Sequence, residues 1–108
     1  MVEDLQIVLC TVPDHETAEN IAGTLVTERL AACVNIVPGV TSIYRWNDAI
    51  ERDRELLLLI KTSPGVWPRL EQRIRGLHPY ELPEIISVTV NNGQSDYLKR
   101  LQDSLTTT

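Results

Sequence analysis

Cys10 and His78 are the two residues of this chain whose side chains could do chemistry together. A thiolate beside an imidazole suits a soft or borderline metal such as copper or zinc. The same pair could act as a nucleophile and its base. Glu81 or Glu84 could add an oxygen ligand, and so could a neighbouring subunit. The plainer alternative makes Cys10 a small buried hydrophobe. His78 is then a helix-end residue that bonds the last carbonyls or the connector. Two ligands alone do not make a metal site. Cys33 reads as core packing and His15 as an exposed residue in a first helical turn. There is no CxxC, GxGxxG, Walker loop or HExxH, and no serine in a recognisable nucleophile elbow.

The elements that must bring Cys10 and His78 together follow from local pattern. Leu5 to Thr11 is apolar, reads as strand 1, and is ended by Pro13. Asp14 is a fitting N-cap for helix 1, with Glu16 in its first turn. Ala18, Ile21, Ala22, Leu25, Val26 and Leu30 then follow helical spacing. Cys33 to Trp46 reads as strand 2, bent at Pro38-Gly39. Asn47 to Arg54 reads as a charged tip, and Glu55 to Thr62 as strand 3. Ser63-Pro64-Gly65 is a stop. Trp67, Leu70, Ile74 and Leu77 mark helix 2, with Pro68 in its first turn. Two prolines stiffen the connector His78 to Pro83. Ile86, Val88 and Val90 alternate on strand 4, Asn91-Asn92-Gly93 turns, and Ser95 can cap helix 3. That helix is expected to bury Tyr97 or Leu98, Leu101 and Leu105, with Thr106 to Thr108 frayed.

This order is an α+β, ferredoxin-like split β-α-β-β-α-β with an extra C-terminal helix. The sheet then runs 4-1-3-2, with helices on one face. Strand 4 lies antiparallel beside strand 1, which brings the end of strand 1, near Cys10, to the start of strand 4, near His78. Five apolar residues in a row, Leu56-Leu57-Leu58-Leu59-Ile60, occupy strand 3. Strand side chains alternate between faces, so such a run predicts two dry faces. One short chain has helices enough for one face, and a second copy is the simplest cover for the other. Tyr44 and Trp46 share a face near the hairpin tip. They are expected to dock into a neighbouring subunit or to pack on their own hairpin partner. Glu51, Arg52, Asp53, Arg54 and Glu55 alternate in sign and read as a solvated tip.

Composition bounds the rest. The 108 residues predict one domain, residues 1–108, with a Leu, Ile and Val core, because Phe is absent. A net charge of −5 argues against non-specific binding to nucleic acid or anionic membranes. RNA binding on this topology would also need exposed aromatics on the two central strands. Glu3 and Asp4 stand where a signal peptide would be basic, so a cytoplasmic protein with reduced thiols is expected.

Several segments together make the chain resemble the CutA divalent-cation tolerance family over nearly its whole length. They are Cys10-Thr11-Val12-Pro13-Asp14, Glu28 through Asn35, Ser42-Ile43-Tyr44-Arg45-Trp46 through Ile50, and Glu55 with Lys61-Thr62. His78-Pro79-Tyr80 with Leu82-Pro83-Glu84 and Asp96-Tyr97-Leu98 complete the set. The resemblance implies a compact homotrimer of PII-like architecture, knitted together by its hairpins. It implies tolerance to copper and other divalent cations and no catalytic reaction. It implies a copper site on a strand-1 Cys and two adjacent His residues before Pro-Tyr. Cys10 and His78 stand in two of those places, while Leu77 replaces the first His. Asp48 also stands where the family hairpin usually has Gly. Outside metal handling, a PII-like regulatory trimer could bind a small metabolite or nucleotide between subunits, and a thiol enzyme could use Cys10 with His78 as its base.

Overall fold

The computed structural model describes residues 4–105; the Thr106 to Thr108 tail lies outside the described residues. The elements are β1 (Leu5–Val12), α1 (His15–Thr27), β2 (Cys33–Trp46) and β3 (Ala49–Thr62). A 3-10 turn (Pro64–Val66) leads into α2 (Trp67–Leu77), then β4 (Ile86–Val90) and α3 (Ser95–Asp103). The four strands form one antiparallel sheet in the order β2-β3-β1-β4, as the split βαβ pattern requires.

Local chemistry sets most element ends. Asp14 caps α1 by accepting the Thr17 N–H at 2.8 Å. Helix α3 is capped by Gln94 rather than by Ser95: its longer side chain reaches the Tyr97 N–H at 2.7 Å and places Ser95 inside the helix. The register slips between Val37 and Val40, so Pro38-Gly39 is the expected bulge.

The charged tip is much shorter than the sequence reading had it. Residues 49–54 are strand, and the turn is Asn47-Asp48 alone. Both residues have positive φ, 49° and 62°, the pattern of a type I′ turn, whose twist matches that of the flanking strands. Beyond the bulge, β2 and β3 therefore form a two-stranded arm. It contributes to a molecule measuring 48 × 26 × 22 Å.

The main core lies between one sheet face and α1 with α2. Val8, Cys10, Val12, Leu56, Leu58 and Ile60 meet Ala18, Ile21, Leu25, Leu70 and Ile74 there. Val26, expected among the core residues of α1, is 43% exposed on the helix's outer side. The helices had been expected on one face only, and the structure corrects this. Leu101 and Leu105 pack with Leu5, beside Cys33, Val90 and Leu98, so α3 covers one end of the second face. Cys33 is half-buried in this smaller cluster and packs as expected, while His15 is exposed.

The remainder of the second face is open. Register places Ile86, Leu9 and Leu59 in one row, and Thr11, Leu57 and Val37 in the next. Leu57 and Leu59 are only half-buried, and Ile86 and Val88 are 52% and 48% exposed. The apolar side of β4 thus points away from α1 and α2. The Leu run of β3 has one dry face and one face left for a cover.

Candidate functional site

The topology brings Cys10 and His78 to the same carbonyl. Cys10 pairs with Leu58 on β3, and its side chain faces the main core with no exposure. Its Sγ makes only a long contact, 3.8 Å, with the Thr11 carbonyl oxygen. Burial pushes the thiol up to about 12, and the nearby Glu84 and Glu55 carboxylates add to the effect.

His78 follows the last turn of α2, where its backbone N–H donates to the Ile74 carbonyl at 2.8 Å. Its ring is buried. Nδ1 accepts the Tyr80 N–H at 3.1 Å, which leaves the ring proton on Nε2 to donate to the Thr11 carbonyl at 2.7 Å. Both ring nitrogens are occupied. The helix-end role weighed for His78 is the arrangement seen: the imidazole pins the connector to the end of β1. Tyr80 leans over the ring at 4.7 Å and donates its hydroxyl to Glu55 at 2.9 Å. Glu55 is itself buried.

Around this pin lies a groove of about 980 Å³ between the arm and the connector, lined by Tyr44, Trp46, Glu51, Asp53, Tyr80 and Glu84 among others. Tyr44 donates its hydroxyl to Asp53, and that hydrogen bond with the surrounding carboxylates pushes the phenol up to about 12. Tyr44 and Trp46 are 41% and 58% exposed. Glu81 and Glu84, considered as extra ligands, are exposed on the groove's connector side.

As folded, these residues do not fit a copper ion. The thiol is protonated inside the core, and a thiol binds metal as its thiolate. The imidazole has no free lone pair. Leu77 packs against the main core. Among the described residues no group of three or more His, Cys, Asp or Glu is arranged to hold a metal. A thiol held protonated to about 12 is also a poor nucleophile, which removes the basis for a Cys10–His78 enzyme.

Glu55 and Asp53 were not singled out as site residues, nor was the Thr11 carbonyl. The phenol partners of the two carboxylates lie far away in sequence or depend on strand register. The one signal available was the alternating sign of residues 51–55.

A sequence profile described as CutA1 divalent ion tolerance protein matches residues 6–104. The divalent-cation tolerance protein CutA of Thermus thermophilus is 52% identical over 92% of this chain and 96% of its own length. The chloroplastic protein CutA 1 of Oryza sativa is 40% identical over 91% of this chain, which spans about half of that relative (55%). The crystal structure of CutA1 from Oryza sativa superposes with a TM-score of 0.96 at 36% identity, covering 99% of this chain and 98% of that one. No helix among the described residues is long and apolar enough to cross a membrane.

Proposed function

The chain belongs to the CutA1 divalent ion tolerance protein family, and from that premise we propose that it works in tolerance to copper and other divalent cations as a cytoplasmic, non-catalytic homotrimer of single-domain subunits. The observation that carries this reading is the family match across residues 6–104. The open apolar face of Leu9, Leu57, Leu59, Ile86 and Val88 supports the assembly, because copies of the chain can cover what α3 leaves bare. Tyr44 and Trp46, exposed on the arm, belong to the same subunit boundary.

Copper contact by Cys10 and His78 is the finer form of the proposal. It requires the folded arrangement to open: the imidazole must release the Tyr80 N–H from Nδ1, the nitrogen that holds its lone pair, and the thiol must lose its proton. Calorimetric titration of the full chain with copper tests it. Binding that weakens in Cys10→Ala and in His78→Ala supports these residues as ligands. Absence of binding tighter than roughly millimolar sinks the metal reading. Native mass tests the trimer, and a monomer sinks the assembly.

A further inference from the structure

Glu55 is a buried carboxylate without a matching positive charge. It is only 7% exposed, and it lines the groove between the arm and the connector. Its Oε2 accepts the Tyr80 hydroxyl, and its Oε1 accepts nothing among the described residues. No lysine, arginine or histidine forms an ion pair with it there. A charge taken out of water needs a counter-charge or a full set of hydrogen bonds. The rest of the groove does not supply one. Glu51, Asp53, Glu81 and Glu84 add four carboxylates to its lining, against Arg75 alone. Register sets Glu51, Asp53 and Glu55 on one face of β3, opposite Tyr44, Ser42 and Val40. Positions on that face recur every ~6.8 Å. Beside these acids stand three aromatic rings, Tyr44, Trp46 and Tyr80, all partly open to solvent.

We infer that this groove binds a linear aliphatic polyamine. A metal ion fits it poorly. Among the described residues no three His, Cys, Asp or Glu are arranged to hold one, and the phenols of Tyr44 and Tyr80 already bond Asp53 and Glu55. An extended ligand with separated ammonium groups can meet carboxylates strung along a strand one by one. One ammonium donates to the free Oε1 of Glu55 and gives that carboxylate its missing counter-charge. The methylene spacers lie against the aromatic rings, whose faces also attract the ammonium groups, Trp46 most strongly. The groove's volume of about 980 Å³ is within the range of small-ligand sites. This inference goes beyond tolerance to divalent cations, and it depends on neither the copper contact nor the homotrimer.

Calorimetric titration of the full chain with spermidine, a linear triamine, tests the inference. Magnesium at matched ionic strength controls for charge screening. Spermidine should bind more tightly than roughly millimolar, and magnesium should not displace it. Three variants follow, each with circular dichroism to confirm folding. Glu51→Gln with Asp53→Asn removes two charges from the arm, Trp46→Ala removes an exposed ring, and Glu55→Gln removes the buried charge. Each should weaken spermidine binding by roughly tenfold or more. If Glu55→Gln fails to fold, the two arm variants decide the matter. A wild-type chain that does not bind spermidine overturns the inference, as do arm variants that bind it like wild type. Displacement of spermidine by magnesium at matched ionic strength overturns it too, because the groove then responds to charge alone.

Discussion

The Tyr80 hydroxyl donates to Glu55 at 2.9 Å and ties the connector to the base of the β2-β3 arm. Glu55 is only 7% exposed, and Tyr80 is the one hydrogen-bond partner its carboxylate has among the described residues. Tyr80→Phe should leave a buried carboxylate unpartnered and destabilise the fold by about 1–3 kcal/mol. Urea denaturation measures this. A double cycle with Glu55→Gln separates the pair's own contribution from that of truncation.

Alkaline pH should destabilise the protein partly through Cys10. The folded thiol is raised from about 9 to about 12, so between those values the folded state holds a proton that the unfolded chain has lost. Stability from this group is therefore complete below pH 9 and falls as pH rises toward 12, by up to about 1.4 kcal/mol per pH unit. Cys10→Val keeps an apolar residue in the core and should flatten that limb. A wild-type slope retained in Cys10→Val would assign the loss to other groups, the raised Tyr44 and Tyr80 phenols first.

The hairpin turn should tolerate one substitution and reject another. Asp48 has φ 62°, a region in which glycine costs nothing. Asp48→Gly should stabilise by roughly 0.5–1 kcal/mol, and Asp48→Val should destabilise by about 1–2 kcal/mol. Thermal unfolding at fixed protein concentration reads both.

Leu59 distinguishes a covered sheet face from a bare one. It is half-buried on the side away from α1 and α2. Leu59→Lys should shift native mass toward monomer while leaving the circular dichroism spectrum of the chain folded. A variant that keeps the wild-type mass would show that this face is not where the copies meet.

By itself the sequence determined the order of elements, the cap at Asp14, the bulge at Pro38-Gly39 and the meeting of strand 1's end with His78. The first three are encoded by near neighbours, an N-cap oxygen, a bulge residue and alternation along a strand, and the last follows from the order of elements, which sets β4 antiparallel beside β1. It did not determine the length of the arm, because residues 49–54 are charged and read locally as a tip. They are strand only because β2 pairs with them and a two-residue turn joins the two. Nor did it show that the apolar side of β4 looks away from α1 and α2, since alternation does not say which face is dry. The state of Cys10 and His78 was likewise settled by tertiary structure. Burial decides whether a thiol ionises, and distant partners, Thr11 and Tyr80, decide whether an imidazole has a lone pair to give. The chemistry that Cys10 and His78 suggest in the sequence is held closed in the folded chain by these contacts.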